Sequence, residues 1–438
     1  MRWAVLLCLW ACGSGSSGGG DDDGGGTGDS GDAPPPETPL DQRLTVSTIA
    51  TPAGVLAGES NYRIWGSSSL KIARVFTVPY ADCGTLVGYT TTGPTARVAR
   101  LDREDKLVMT YDLGNFTLRG LAAEPDGHFA ALLWNGQQTL YVKRFDATGA
   151  AGWTASLDDP LAVPTDFNIG ESRFAFGGGK YGAYYHVHGI SGFANGHEGD
   201  QLKWVDATSG AVTTQWQWGC SHSMSELLRY DGSNFLAACV TDCFPGTSGN
   251  FSTESIGGIY LDYNAAKVID VDAGCNGSVA GELGGMTPGP GGWRLVFNAH
   301  QNPATKGQAS YNPSTMNQDI GFAPISESRM PGAVVWLTRT PINEANATIA
   351  RWQPSGDDTE QYVVGWSEPN SVYKLARVSA AGEINSTITT TAKWGERDDP
   401  FREHLNQDIV WAWFDSAGAQ SFNFARLSSG RTAQCASL

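Results

Sequence analysis

Short stretches in which apolar and polar residues alternate recur along the chain after residue 41. Side chains of a strand point alternately to its two faces, so this alternation predicts β-strands with at least one buried face. Seven stretches share a pattern and can be aligned on one apolar anchor each: Leu86, Phe129, Ala183, Phe235, Trp293, Tyr362 and Ile409. Successive anchors lie 43 to 69 residues apart.

A second alternating stretch follows most of the anchored ones, as in "ARVARLD" from 96 and "LYVKRFD" from 140. Several run into tight-turn sequences such as "DATG" at 146–149. Repeats of about 40–50 residues with several strands each are typical of a β-propeller. We therefore predict an all-β fold over 41–438: a β-propeller, most simply seven-bladed, within a range of six to eight. The alternative is a pair of stacked β-sandwiches.

Composition supports this fold class and excludes one kind of partner. The chain has 55 glycines and 15 tryptophans, and only 17% of its residues are charged. About 400 residues follow the glycine-rich segment, which exceeds one ordinary domain but suits a ring of repeats. The formal net charge is −16, and no basic run occurs. Binding to nucleic acid through phosphate contacts is therefore not expected.

The first residues, "MRWAVLLCLWAC", combine Arg2 with an apolar run that is too short to span a bilayer as a helix. The small residue before Cys12 makes this stretch similar to the lipobox of bacterial lipoproteins. That resemblance implies a signal peptide at 1–11 and acyl chains on Cys12. Cys8 fits less well, because Leu7 precedes it. A plain signal peptide without lipid is the alternative.

Residues 13–36 contain only Gly, Ser, Asp, Thr, Ala and Pro, a composition that cannot bury apolar surface. We predict that 12–40 is a disordered tether on the acylated cysteine and that 41–438 is the propeller. The resemblance then implies a protein held in the bacterial cell envelope by a lipid. Gly13 follows the cysteine, which favours the outer membrane, with the domain periplasmic or surface-exposed.

Six cysteines lie beyond the tether, and an even number in an exported protein favours disulfides. Cys83 and Cys435 stand near the two ends of the folded part, so a bond between them would staple a closed ring. The spacing of Cys239 and Cys243 does not match a thiolate zinc motif.

Histidines supply the candidate chemistry. His186 and His188 lie three and five residues after their anchor, while Asp242 and His300 both lie seven after theirs. Equal parity places them on equivalent strand faces, and we expect them to converge at the propeller mouth. Imidazole with carboxylate suits Cu, Zn, Fe or Mn. His222, in "CSHSM" with Cys220 and Met224, adds ligands that suit copper. The predicted metal residues are His186, His188, His222, His300 and Asp242.

Other interpretations stay open beside the metal site. The histidines can equally hydrogen-bond loops between blades, as His197 and His404 can. In a metal-free enzyme, Tyr184, His186 and Arg294 would serve as base and electrostatic stabilisers. Residues 41–438, the part that we expect to fold, contain no nucleophile motif of the GxSxG type.

A binding or scaffold module is the interpretation that we favour over an enzyme, with a glycan, peptide or protein as its ligand. Tryptophans recur along the strands, and most of them should be wedged between blades. A minority exposed around a pocket would stack on a sugar or anchor a peptide. The candidates are Trp134, Trp153, Trp204, Trp216, Trp218, Trp366, Trp411 and Trp413.

Overall fold

The structure is a computed structural model, and the residues that it describes lie in fourteen stretches. These are 38–56, 75–136, 139–159, 162–163, 172–189, 198–217, 220, 226–241, 258–262, 266–270, 281–301, 317–395, 399–433 and 435. The chain divides into two compact units, Met1–Thr38 and Pro39–Leu438. Every element below belongs to the second unit. No helix among the described residues is long and apolar enough to cross a membrane.

Seven antiparallel sheets form the blades of a β-propeller, which confirms the predicted fold and makes the two-sandwich alternative wrong. The first blade holds β2 (Phe76–Pro79), β3 (Thr85–Thr91), β4 (Thr95–Leu101) and β5 (Leu107–Asp112). The second holds β6 (Thr117–Ala123), β7 (Phe129–Trp134), β8 (Leu140–Phe145) and β9 (Ala151–Ser156). The third holds β10 (Ala162–Val163), β11 (Ser172–Gly177), β12 (Lys180–Gly189), β13 (Glu198–Asp206) and β14 (Val212–Trp216).

The remaining four blades follow the same plan, and the last one takes its outer strand from the start of the domain. The fourth blade holds β15 (Glu226–Tyr230), β16 (Phe235–Thr241), β17 (Gly258–Leu261) and β18 (Ala266–Asp270). The fifth holds β19 (Gly281–Gly289), β20 (Gly292–Ala299), β21 (Asp319–Ser326) and β22 (Val335–Trp336). The sixth holds β23 (Ala345–Arg351), β24 (Gln361–Glu368), β25 (Val372–Ser379) and β26 (Ile384–Thr390). The seventh holds β27 (Arg402–Glu403), β28 (Ile409–Trp413), β29 (Ser421–Leu427) and β1 (Leu44–Ala50).

Two devices close the ring. Strand β1 pairs with β29 from Leu44↔Leu427 onward, so the seventh blade is built from both ends of the domain. The short helix α1 (Leu40–Arg43) precedes β1 and buries Leu40. A disulfide joins Cys83 to Cys435, which confirms the predicted staple. The first and seventh blades then pack against each other through the cluster that contains Tyr89 and Phe424.

The seven anchored stretches are the second strands of the seven blades, which explains why they stood out in the sequence. A second strand is covered by sheets on both faces, and every residue of β3 and β7 is buried. First strands line the axis and are more polar, so their pattern is weaker. In β6 the pairing register shifts at Arg119, a β-bulge on the axis side of the second blade.

The hydrophobic core lies between blades, because each blade packs its two faces on its two neighbours. Tyr184 belongs to the cluster between the third and fourth blades. Leu236 belongs to the cluster between the fourth and fifth blades, and Val296 to the one between the fifth and sixth. Equivalent faces of successive blades therefore look into successive interfaces. They do not look toward one common point.

Candidate functional site: an aromatic groove between the third and fourth blades

The predicted metal residues are only partly within the described residues. His186 lies in β12, fully buried and directly opposite Asp200 of β13. His188 lies two residues further along β12, opposite Glu198, and its side chain is outside the described residues. Cys12, His197, His222, Trp218 and Asp242 also lie outside them.

His300 lies in a different blade from His186. It directly follows β20, the second strand of the fifth blade, whereas His186 faces the fourth blade. Even-numbered residues of β20, such as Val296, pack toward the sixth blade. Equal parity gives equivalent faces of different blades, so parity alone does not bring this pair together. The metal-site prediction for the whole histidine set remains a prediction.

His404 and the residues proposed for general-base chemistry have partners of their own. His404 is buried and shares a hydrogen bond of 3.0 Å with the Thr85 hydroxyl. Burial lowers its pKa to about 3, so the imidazole is neutral at physiological pH and ties the seventh blade to the first. Arg294 lies in the fifth blade and donates to Glu360 at 3.0 Å. Tyr184 donates to Asp200 in the third blade.

The propeller axis is crossed by an ion pair between opposite blades. Arg229 of β15 donates to both carboxylate oxygens of Asp399 at 2.8 and 2.9 Å, and to the Phe401 carbonyl at 2.9 Å. Beside it, burial and the positive charge of Arg229 lower the pKa of Arg402 to about 9. Among the described residues, the Arg229–Asp399 pair links the fourth blade to the seventh.

An open cavity of about 590 Å³ lies between the third and fourth blades, and we call it the aromatic groove. Its size is typical of small-ligand sites. Both blades contribute rings: Trp204 and Trp216 from β13 and β14, and Tyr230 and Phe235 from the hairpin that joins β15 to β16. Trp204, Trp216 and Tyr230 are half-buried, so part of each ring faces solvent.

Two glycines of the third blade let these rings lie close to the sheet. A Cβ on Gly177 would stand 2.2 Å from the Tyr230 ring, and one on Gly182 would stand 2.6 Å from the Trp204 ring. Gly182 is also the direct strand partner of Trp204. A side chain at either position would collide with a ring, so the absence of a Cβ at these glycines lets the rings pack directly on the sheet.

Polar groups are arranged around the rings. The Lys180 ammonium lies 4.5 Å from the centre of the Trp204 ring. The Trp204 indole N–H donates to Gln215 at 2.9 Å. Asp262 accepts from the Ala237 amide at 3.3 Å and forms an ion pair with Arg329, which comes from the fifth blade. The groove therefore presents ring faces beside amide, carboxylate and guanidinium groups.

A buried polar layer lies beneath the groove. The Trp216 indole N–H donates to Asp200 at 3.2 Å, and Tyr184 donates to the same carboxyl group. Burial raises the pKa of Asp200 to about 6. A second disulfide joins Cys220 to Cys239 at this level. The sulfurs and an Asp200 oxygen all lie within 4.8 Å of one another, and this is the one group of three metal-capable residues among those described.

Sequence reasoning identified the groove only in part. Trp204 and Trp216 were among the candidate aromatics, and Trp134, Trp366, Trp411 and Trp413 are buried as expected of wedged rings. Lys180, Asp200, Asp262 and Arg329 carried no motif. Asp262 and Arg329 both have positive φ, of 45° and 62°, so a turn signal existed, but nothing in the chain linked them to each other.

Comparison with known proteins adds no family. No family model and no curated protein matches the chain. Among solved structures, the Dos1 propeller has 12% identity and a TM-score of 0.41, covering 85% of this chain and 95% of its own. A Synechocystis apocarotenoid oxygenase mutant has 9% identity and a TM-score of 0.40, covering 74% and 72%. Kuenenia stuttgartiensis hydrazine synthase has 11% identity and a TM-score of 0.39, covering 70% and 80%. Likenesses this distant carry no argument about ligand or activity.

Proposed function

We propose that the protein is a carbohydrate-binding module of the bacterial cell envelope and that the aromatic groove holds the sugar. The observation that carries this proposal is the exposure of Trp204, Trp216 and Tyr230 around one open cavity. A wedged ring would be covered on both faces by neighbouring blades. These rings instead leave apolar surface open to a ligand, which is the arrangement expected of a binding site.

The mixture of groups in the groove favours a sugar over a purely apolar ligand. A pyranose has a C–H face that packs on an aromatic ring and hydroxyls around its edge that need hydrogen-bond partners. Gln215, Asn234, Asp262 and Arg329 line the same cavity and supply planar amide, carboxylate and guanidinium partners. A cavity of about 590 Å³ has room for one or two sugar rings.

The test is binding of the purified protein to a panel of immobilised glycans, followed by calorimetric titration of the strongest binder. We expect Trp204→Ala to weaken binding at least 30-fold, or about 2 kcal/mol, as for a central aromatic contact. Trp153→Ala is the matched control, since Trp153 lies in β9, the outer strand of the second blade, and does not line the groove. Absence of glycan binding, or equal affinity of both variants, would refute the proposal.

A lipid on Cys12 would display this module from the membrane through the tether. The support is the similarity of the first twelve residues to a lipobox, followed by a segment whose composition is typical of a linker. The full chain, expressed in a bacterial host with an alkyne fatty acid, should become labelled and partition with membranes. Cys12→Ala should abolish labelling, whereas the control Cys8→Ala should leave it unchanged. Labelling that survives Cys12→Ala would disprove this anchor.

A further inference from the structure

The buried layer beneath the groove gathers residues of two blades that are all capable of binding a metal. Asp200 and His186 come from the third blade, facing each other across β13 and β12. Cys220, Cys239 and Glu226 come from the region of the fourth blade, where Glu226 pairs directly with Cys239. Each of the five is at most 1% exposed. Protein interiors rarely hold so many titratable side chains unless these side chains are paired with one another or with a ligand.

Asp200 is the member of this layer whose burial costs the most free energy. Its hydrogen-bond donors are neutral: the Tyr184 hydroxyl, the Trp216 indole and the Cys220 amide. Among the described residues, the positive charge that acts on the Asp200 carboxylate comes from the His186 imidazole opposite it, and burial outweighs this effect on its pKa. A carboxylate buried without a cation costs several kcal/mol. A disulfide beside it offers no compensating charge.

A metal ion would supply that charge if the two sulfurs were thiolates. Sulfur and carboxylate oxygen are both zinc ligands, with Zn–S bonds of about 2.3 Å and adjacent ligand atoms roughly 3.8 Å apart in a tetrahedron. The Cys220 and Cys239 sulfurs and the Asp200 oxygen already lie within 4.8 Å of one another. Small side-chain rotations would therefore complete the three-ligand set without moving a strand.

We infer that Cys220, Cys239 and Asp200 form a zinc-type metal site in the reduced protein and that the disulfide is the oxidised, metal-free state of the same site. A dithiol reductant gives two electrons and two protons to the disulfide and is itself oxidised to a disulfide. Binding of M²⁺ then displaces the two thiol protons to solvent. Two thiolates and one carboxylate match a divalent ion of the zinc type, with one coordination position left open.

The experiment uses Co²⁺ as a spectroscopic probe on anaerobic protein treated with a dithiol, with free thiols mapped by alkylation and mass spectrometry. We expect one Co²⁺ per chain, an intense thiolate-to-cobalt absorption band, and displacement by Zn²⁺. Oxidised protein should show no band. Cys220→Ser and Cys239→Ser should each abolish it. Asp200→Asn, which keeps both sulfurs and nearly the same shape, should weaken Co²⁺ binding at least tenfold.

The control is the double variant Cys83→Ser/Cys435→Ser, which removes the other described disulfide and should leave the band unchanged. Three results would overturn the inference: reduced Cys220 and Cys239 without a band, a band that persists in Cys220→Ser, or a disulfide that no dithiol opens while the fold persists. If a serine variant does not fold, Asp200→Asn and the wild-type titration still decide. Glycan binding is measured on oxidised protein, so either proposal can fail alone.

Discussion

Tryptophan rings fill the interface between the sixth and seventh blades, whereas between the third and fourth blades the same kind of ring lines an open groove. Trp394, Phe401 and Trp411 lie against one another with centroids 4.7 to 6.3 Å apart, and all three are almost wholly buried. Trp204 and Trp216 keep part of their surface in solvent. The residue type is therefore the same in both interfaces, but the rings are buried in one and partly exposed in the other.

The position of each ring along its blade explains the difference. Trp411 lies in β28, a second strand close to the axis, where neighbouring blades are near each other. Trp204 and Trp216 lie in β13 and β14, the third and outermost strands, where blades of a propeller diverge. The same ring closes an interface near the axis and lines a cavity near the rim. Strand number, more than residue type, indicates which aromatic is available to a ligand.

The largest expected effect at pH 7 is a difference in lost stability between a tryptophan in the closed interface and a tryptophan in the groove. Trp411→Ala should lower the free energy of unfolding by roughly 3–5 kcal/mol, because it leaves a cavity in a closed interface. Trp204→Ala should cost less than about 2 kcal/mol, since solvent already reaches that ring. Guanidinium denaturation of both variants measures this. Equal losses of unfolding free energy in the two variants would mean that Trp204 is a core residue and that the two interfaces do not differ in this way.

The next effect concerns the link between the two regions, since Arg229 of the fourth blade holds Asp399 of the seventh. Arg229→Met should destabilise the fold by about 3 kcal/mol, because the buried Asp399 carboxylate loses its two-point partner and keeps only the Arg402 guanidinium at 3.5 Å. The side chain of Asp399 is only 1% exposed. Arg97→Met, in the more exposed pair with Asp112, should cost under about 1 kcal/mol. Similar losses in the two variants would rule out a special role for the axis.

A smaller effect is the pH dependence that Asp200 gives to the third and fourth blades. Its pKa is raised by burial to about 6, above the ordinary value of an unfolded chain. A raised pKa contributes stability that is full below about pH 4 and is lost as pH rises through 6. Relative to Asp200→Asn, oxidised wild-type protein should therefore lose stability over that window. Glu344, whose pKa burial raises to about 7, serves as a second carboxyl through Glu344→Gln. If the Asn variant keeps the wild-type slope, Asp200 is not its source.

The smallest effect at pH 7 is expected for His404, whose pKa is shifted in the opposite direction from that of Asp200. Its folded pKa of about 3 lies below the unfolded value, so its contribution is present above about pH 6.5 and is lost as pH falls through 3. His404→Gln can still hydrogen-bond Thr85 and should change stability at pH 7 by under about 1 kcal/mol. The variant should resist acid better than wild type. An imidazole resonance that is missing from His404→Gln and that titrates near pH 6 in the folded wild type would contradict this.

Several features were predictable from the sequence because they depend on local pattern. Second strands are buried on both faces, so their apolar alternation gave seven aligned anchors and the number of blades. The bond between Cys83 and Cys435 was predictable because closing a ring must bring its ends together. Burial of most tryptophans followed from ring size alone.

Convergence of the histidines does not follow from parity alone, and it stays a prediction. Parity reports which face of its own sheet a residue occupies. In a propeller, that face opens into a different interface in each blade. The strand face that carries His186 and the strand face that precedes His300 therefore belong to different interfaces. In a ring of seven sheets, the equivalent sheet face occurs seven times, once in each interface between neighbouring blades.

The strands, the repeat and the closed ring follow from the amino-acid pattern alone, because side-chain alternation and turn chemistry act over a few residues. Only the tertiary structure decided that Lys180, Trp216, Asp262 and Arg329 share one groove and that Asp200 meets Cys220 and Cys239 beneath it. These residues come from separate strands and from as many as three blades. Their meeting depends on how neighbouring sheets are packed and splayed, which no local pattern in the chain records.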